Sequence, residues 1–269
     1  LFNYPDVGIS HTGQYIFAGI VNTSTLYLSS SYGVYWTIIN NSGSFGVEQG
    51  KAISPDGNCL IVVGTTGYSI SRPLNVDGGI SYSTDSGNNW ANGGLANSPY
   101  FDSVAISADG TTAVAGTING FIHVSTNSTN IFNPNPSIPI GNTTGLALSS
   151  TGQNAIITQQ GGQGTGLIYT TTSYGSNFTS ATVSGQSISD NFYGAASVSP
   201  SGSVMAAGAG GLVYTTTTAS NSGQIAFSTG SGSTIINPVI TNVDIRGLAT
   251  SNTGTILYAD RYQNGLFCL

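Results

Sequence analysis

A short motif recurs along this chain: a small residue, an apolar residue and a serine lead into a glycine turn and then an apolar run. The copies are Gly8-Ile9-Ser10…Gly13, Ala52-Ile53-Ser54…Gly57, Ala105-Ile106-Ser107…Gly110, Ala147-Leu148-Ser149…Gly152, Ser197-Val198-Ser199…Gly202 and Ala249-Thr250-Ser251…Gly254. Their serines lie 44, 53, 42, 50 and 52 residues apart.

A repeat of this length, made of short β segments, predicts an all-β, six-bladed β-propeller with one four-stranded antiparallel blade per repeat. Helical periodicity does not persist anywhere, and 38 glycines with abundant Ser, Thr and Asn suit short strands and tight turns. A single propeller over 1–269 is expected. Its blades run 6–40, 50–95, 103–136, 145–183, 195–230, and 245–269 completed by 1–4. In the second repeat, strand A is Lys51–Ser54, strand B Cys59–Val63, strand C Gly79–Ser83, and strand D begins at Trp90. Asn119-Gly120, Gly210-Gly211 and Asn264-Gly265 read as two-residue hairpins between strands B and C. The last repeat stops at Leu269 with no outer strand, so Leu1–Tyr4 are expected to supply it and close the ring. The chain opens without an initiator Met, as a processed or excerpted product would.

Charge limits the partners. Lys51, Arg72, Arg246 and Arg261 are the only Lys or Arg, charged residues make up 5% of the chain, and the net charge is −6. That argues against nucleic acid and anionic membrane surfaces, and no apolar run is long enough to span a bilayer. A chain kept soluble by Ser, Thr, Asn and Gly points outside the cytoplasm: extracellular, cell-surface or virion-surface. Sequons at Asn22, Asn40, Asn127, Asn142 and Asn177 are candidate glycosylation sites. Cys59 and Cys268 fall in non-adjacent blades and read as free thiols. His11 and His123 are isolated, so neither a metal site nor a catalytic triad is expected, and no cofactor is implied.

Ser83-Thr84-Asp85-Ser86-Gly87-Asn88-Asn89-Trp90 resembles the Asp-box, S/T-x-D-x-G-x-x-W, of sialidase-like propellers (the bacterial neuraminidase repeat). The segments 29–36 and 171–178 are similar to it but lack the aspartate, and Ser54-Pro55-Asp56-Gly57 resembles turns of WD-type propellers. The resemblance implies a structural role for Ser83, Asp85, Gly87 and Trp90, with Asp85 capping its own turn. Asp56 and Asp109 read the same way.

Propeller topology puts the A–B and C–D turns on one face and the B–C and D–A loops on the other, where related propellers bind ligands. All four cations and Asp6, Glu48, Asp77, Asp102, Asp190, Asp244 and Asp260 map to the B–C/D–A face, Arg261 to its B–C loop. Only Asp56, Asp85 and Asp109 map to the other. Tyr68, Tyr100, Phe101, Phe192, Tyr193 and Tyr262 join the charged face. Rings beside carboxylates and arginines suit glycans or a partner's loops. The expected binding residues are therefore Tyr68, Arg72, Asp77, Tyr100, Asp102, Asp190, Tyr193, Asp244, Arg246, Arg261 and Tyr262. The alternative is that loops simply hold polar residues, with Glu48–Lys51, Asp244–Arg246 and Asp260–Arg261 as local pairs.

The leading functional reading is a non-catalytic extracellular or particle-surface module that recognises glycans or neighbouring proteins. A sialidase-like glycoside hydrolase is the alternative, with Arg72, Arg246 and Arg261 holding a carboxylate and Glu48, Asp102 or Asp190 as reacting groups. Against it, Arg72 is followed by Pro73-Leu74 where sialidases carry Arg-Ile-Pro. The second alternative is a purely architectural subunit of a surface layer, filament or virion.

Overall fold

A computed structural model describes residues 6–19, 26–39, 47–65, 79–92, 100–118, 120–126, 131–160, 166–183, 193–209, 212–216, 226–229, 245–250, 257–261 and 265–268. These residues form strands and turns in two compact units, Leu1–Pro134 and Asn135–Leu269.

In unit 1 the first sheet is β1 (Asp6–Ile9), β2 (Ile16–Gly19), β3 (Leu26–Ser29) and β4 (Thr37–Ile39), in that spatial order. The second is β5 (Val47–Ile53), β6 (Leu60–Thr65), β7 (Ile80–Ser83) and β8 (Ala91–Asn92). The third is β9 (Tyr100–Ile106), β10 (Ala113–Ile118), β11 (Ile122–Ser125) and β12 (Asn133–Asn135), the last crossing the unit boundary. In unit 2 a fourth sheet holds β13 (Asn142–Leu148), β14 (Ala155–Gln160), β15 (Gly166–Thr171) and β16 (Thr179–Ser180). The fifth holds β18 (Tyr193–Val198), β19 (Met205–Ala209), β20 (Leu212–Thr216) and β21 (Ala226–Thr229), plus β17 (Thr182–Val183). The sixth holds β22 (Ile245–Thr250), β23 (Leu257–Arg261) and β24 (Gly265–Cys268).

Two departures from the sequence reading have physical causes. The fifth sheet gains β17, whose Thr182 and Val183 run parallel to Ala226 and Phe227 of β21. The segment leaving the fourth sheet thereby covers the next sheet's exposed edge. The first strand of the second repeat is Val47–Ile53 rather than Lys51–Ser54, and β9 and β13 also start early. A bulge in each lets pairing continue past the point where alternation breaks. Of the expected hairpins, Asn119, Gly210-Gly211 and Asn264 lie outside the described residues, as do residues 1–4.

The repeated serine has a clear mechanical role. Ser10, Ser54, Ser107, Ser149 and Ser199 are buried. Each Oγ accepts the amide five residues on, from Tyr15 (3.0 Å), Cys59 (2.9 Å), Thr112 (2.9 Å), Asn154 (3.1 Å) and Val204 (3.0 Å). The serine's own amide donates to the carbonyl of that same residue, and the turn glycine donates back to the serine carbonyl. Ser251 lies outside the described residues.

In three of these turns the glycine is also where one repeat meets the next. Gly57, Gly110 and Gly202 hold φ between 70° and 78°. A Cβ on them would press into Tyr15, Cys59 and Asn154, the side chains five residues past the serine of the preceding repeat. Glycine thus satisfies a left-handed backbone and a close approach together. Cys59 is a free, half-buried thiol, and that burial, then the nearby Asp56, pushes its pKa up. The side chain of Cys268 lies outside the described residues.

Apolar layers fill the spaces between sheets. Phe17, Leu26 and Leu60 pack with Leu28, Ile39, Ile53 and Trp90 between the first and second, where Phe17 stacks on Trp90 at 6.0 Å. Ile61, Ile80, Phe101, Ala113, Ala115 and Phe132 fill the next layer. In unit 2, Ile156, Ile168, Val198, Met205 and Ala207 do the same between the fourth and fifth sheets.

Replacing Ser107 with Ala removes an acceptor from the buried Thr112 amide and a donor to Asp109 Oδ1. We expect Ser107→Ala to lower unfolding free energy by about 1–3 kcal/mol, read from urea midpoints, with the circular dichroism spectrum unchanged.

Candidate functional site

Five of the first strands carry a bulge at the same place. In β5, Glu48 faces Gly64 and Gly50 faces Val63, leaving Gln49 as the extra residue. The extra residue is Asp102 in β9, Thr144 in β13, Gly194 in β18 and Arg246 in β22. Each stands five positions before its repeat's serine, at the strand end opposite the serine turn. The next residue is always small: Gly50, Ser103, Gly145, Ala195 or Gly247. At Gly145 the reason is visible, because a Cβ would come within 2.9 Å of the Ala195 carbonyl carbon and 2.8 Å of the Ala196 nitrogen. Bulges bend a strand and re-aim a side chain, and they gather at binding sites.

Among the described residues, three of the four buried side-chain polar atoms without a hydrogen-bond partner lie at this end of their sheets; the fourth, Ser125 Oγ, lies at the serine-turn end opposite Ala113. Asp102 is half-buried, and burial pushes its carboxyl above the ordinary carboxylate value. Among the described residues it has no hydrogen-bond or ion-pair partner. Beside it, the buried Ser103 Oγ has no partner. In unit 2, Thr143 Oγ1 and Gln159 Nε2 are buried and unpartnered on a directly registered pair of β13 and β14. The bulged Thr144 bonds instead to Thr158, through both its carbonyl and its Oγ1 at 3.2 Å. Leaving a buried polar atom unpaired costs about 1–3 kcal/mol, so within each unit these groups are ready to meet a polar ligand.

The strands carry several of the expected binding residues to this end. Tyr100 and Asp102 lie on β9 in unit 1, where Glu48, expected only as a reacting group of the hydrolase alternative, lies on β5. Tyr193 opens β18, Arg246 sits at the β22 bulge and Arg261 ends β23 opposite Ile245, in unit 2. Arg261 is therefore a strand residue rather than a loop residue. Tyr68, Arg72, Asp77, Asp190, Phe192, Asp244 and Tyr262 lie outside the described residues, as do Asn22, Asn40 and Asn127. Asn177 is exposed, whereas Asn142 lies half-buried on β13. Phe101 corrects the expectation of a face aromatic: it is fully buried, edge-on to His123 at 5.2 Å. His123 is itself buried, which holds its pKa down, and its Nδ1 lies 3.0 Å from the Phe121 carbonyl. The unpaired hydroxyls and Gln159 were missed because nothing in a linear pattern marks a bulge partner.

The opposite end is closed by turns. Asp85 Oδ1 accepts from the Ser83 hydroxyl (2.9 Å) and the Asn89 amide (2.8 Å), and Trp90 Nε1 donates to the Gly87 carbonyl at 3.1 Å. Bonds from the Asn89 amide and side chain hold the Asp85 carboxyl below its ordinary value. At Asp56 and Asp109 burial pushes upward, but hydrogen bonds from Ser54 and Asn58, and from Ser107 and Thr111, outweigh it and keep both low. The turns at 29–36 and 171–178 share the backbone of 83–90: Tyr32, Ser86 and Tyr174 all hold φ 56° before a positive-φ glycine. Ser31 Oγ takes over the aspartate's work, accepting the Tyr35 amide at 2.9 Å. Among the described residues no group of three His, Cys, Asp or Glu could hold a metal, and no helix is long and apolar enough to cross a membrane.

With this geometry in place, comparisons with known proteins bear on the fold. No family model and no curated protein matches the chain. The β-propeller domain of Cps50 (Swd1) from Myceliophteria thermophila is similar at TM-score 0.68 and 12% identity, over 100% of this chain and 83% of that one. U3-55K is similar at TM-score 0.66 and 11% identity, over 96% of this chain and 73% of that one. The GH74 xyloglucanase from Xanthomonas campestris is similar at TM-score 0.65 and 13% identity, over 97% of this chain but only 44% of that one. The chain thus has an all-β, propeller-like fold resembling WD-type propellers such as Cps50, built from antiparallel sheets.

Such identities define a fold and nothing narrower. The expected extracellular, cell-surface or virion location is overturned. Swd1 and U3-55K are subunits of intracellular complexes rather than surface proteins. A low charge content reports how the surface is solvated, and it carries no address.

The partnerless carboxylate gives a signed prediction. Because burial raises the folded-state pKa of Asp102, the folded form binds its proton more readily than the unfolded chain. Stability from this group therefore falls as pH rises through its folded pKa. Asp102→Asn should raise the urea midpoint at pH 7, and its advantage should shrink as pH falls toward about 4, where the ordinary carboxylate is half-protonated. A lower midpoint at pH 7 would reveal a charged partner for Asp102.

Proposed function

We propose that this protein is a non-catalytic recognition module that binds glycans or the loops of neighbouring proteins through the bulged, B–C/D–A end of its sheets. The observation that carries this reading is Asp102: a half-buried carboxylate, raised by burial, without a partner among the described residues, on a bulge. A charge held at that cost is more often kept for binding than for stability. Ser103, Thr143 and Gln159 add unpaired polar atoms to the same end of their sheets. Tyr68, Tyr100, Tyr193, Tyr262, Arg72, Arg246, Arg261, Asp77, Asp190 and Asp244 are the further residues proposed to contact the ligand. Four cations in 269 residues keep nucleic acid out of the proposed partners. No specific observation favours the sialidase-like reading.

The turns at 29–36, 83–90 and 171–178 support assignment to the Asp-box group of propellers, since the three share one backbone and a serine replaces the aspartate functionally in the first. We also propose one six-bladed ring. The first sheet supports it: Gly8 of β1 meets Ile53 of the second sheet, while Val7, Ile9 and Ile38 stay exposed. Strand β24 ends its sheet without an outer partner among the described residues. Residues 1–4 are proposed to pair there. Deleting them should lower the melting temperature by about 4 °C or more, and an unchanged melt would refute the closure.

Binding of the full chain to a glycan array, sialylated ligands included, and to a panel of tethered peptides tests the function. We expect binding by wild type that Arg246→Ala or Asp102→Asn weakens about tenfold, with both variants folded. Binding that neither variant disturbs would place recognition elsewhere.

A further inference from the structure

The three like-shaped turns allow a controlled comparison of what each presents to solvent. Their tip positions carry Ser86 (half-buried), Asn88 and Asn89 in the second sheet and Tyr174, Ser176 and Asn177 in the fourth. In the first sheet the same positions carry Tyr32, Val34 and Tyr35, which are 65%, 67% and 77% exposed. These side chains are not needed by the turn, because the polar versions adopt the same backbone. Nor is the segment loose. Gly33 N donates to Ser29 Oγ at 2.9 Å, Tyr35 N to Ser31 Oγ at 2.9 Å, and Trp36 Nε1 to the Gly33 carbonyl at 2.9 Å. Tyr32 N ties the turn to the Gln14 carbonyl at 3.1 Å. An exposed aromatic cluster on a rigid frame loses little entropy on binding.

The surroundings select the partner's charge. The turn holding Gln14 continues through His11 N to the Pro55 carbonyl at 2.8 Å, beside Asp56. Asn58 of that turn joins Asp56 to the turn of Asp85, through Ser86 N to the Asn58 carbonyl at 2.9 Å. Cys59 then packs on Gly110, next to Asp109. Unit 1 therefore shows an apolar cluster followed by three carboxylates along one connected row of turns. All three are held below the ordinary carboxylate value and stay ionised at neutral pH. None of the chain's four cations falls in these turns; besides the three carboxylates, the titratable side chains along this row include His11, Tyr32, Tyr35 and Cys59.

We propose that the serine-turn end of unit 1 is a second interaction surface, which docks a basic, apolar-anchored peptide segment of a partner protein. An apolar side chain of the partner seats against Tyr32, Val34 and Tyr35. Its Lys or Arg residues meet the row of Asp56, Asp85 and Asp109. This surface is at the opposite strand ends from the bulged face, so the two can be occupied together.

The test is a fluorescence-anisotropy titration of the full chain with a labelled, capped pentapeptide of three arginines alternating with leucine and phenylalanine. Controls are the same peptide with glutamates for the arginines, and one with serines for the apolar residues. The double variant Val34→Asn with Tyr35→Asn installs the residues of the second-sheet turn, so the fold has a working precedent; a thermal melt confirms it. We expect saturable binding of the basic apolar peptide, at least about tenfold weaker with the double variant or with either control, and weakened by salt. Arg246→Ala, at the other end, should leave it unchanged. No saturable binding below about 1 mM, equal binding of the acidic peptide, or an undisturbed double variant would overturn the proposal. So would self-association through this patch in sedimentation, or its preference for neutral oligosaccharides.

Discussion

Everything in this structure hangs on a hydrogen bond from a backbone amide to a buried serine hydroxyl five residues earlier. A tight turn between the two inner strands of a sheet leaves amides and carbonyls facing inward, where water cannot reach them. The serine answers that problem three times: its hydroxyl and carbonyl each accept a hydrogen bond, and its amide donates one. The glycine three residues on then leaves room for a side chain of the preceding repeat, so one turn both closes a hairpin and seats the next sheet. A change at either residue is felt twice, within its own sheet and at the neighbouring one. That double duty explains why the motif survives where the rest of each repeat drifts between 42 and 53 residues.

Once one end of the sheets is fixed in this way, the other end is free to vary. The bulge stands at a constant distance from the serine, yet its residue changes from Gln49 to Asp102, Thr144, Gly194 and Arg246. A constant backbone with changing side chains is what a recognition surface needs, because chemistry can alter without disturbing register. The small residue after each bulge is the cost of that freedom, since the neighbouring sheet comes too close there for a Cβ at Gly145.

The fold was largely legible because its signals are local. A serine, a glycine and a small apolar neighbour specify a turn whose hydrogen bonds all close within six residues, and the second repeat's third strand, read as Gly79–Ser83, is found at Ile80–Ser83. Non-local features were hidden. Strand β17 is two residues long and owes its existence to the edge it covers, so nothing in Thr182-Val183 announces it. Phe101 looked like a loop aromatic because the bulge at Asp102 shifts the alternation that would have marked it as core. The candidate site was read only by its charges. The unpaired Thr143 and Gln159 stand across from each other on different strands, a relation that register creates and sequence does not display. Location failed for another reason: composition constrains how a surface is solvated, and many compartments accept the same solution.

The three matched turns show how a solved local structure becomes informative. Their last residues, Trp36, Trp90 and Phe178, have divergent fates: Trp90 stacks on Phe17 and Phe178 is buried, while Trp36 remains partly exposed. Exposure at that position depends on which sheet stands beside it, so it says little about binding. The last two tip positions are different, since they are exposed in all three copies whatever the neighbour. There, Tyr32 is matched by the exposed Tyr174, but Val34 and Tyr35 stand where both other copies carry polar residues, and they cannot be explained by the turn, which forms equally well around Asn88 and Asn89, nor by packing, which neither enters. Repetition supplies the control that a single turn would lack: what all copies share is architecture, and what one copy alone displays at a solvent-facing position needs a reason outside the fold.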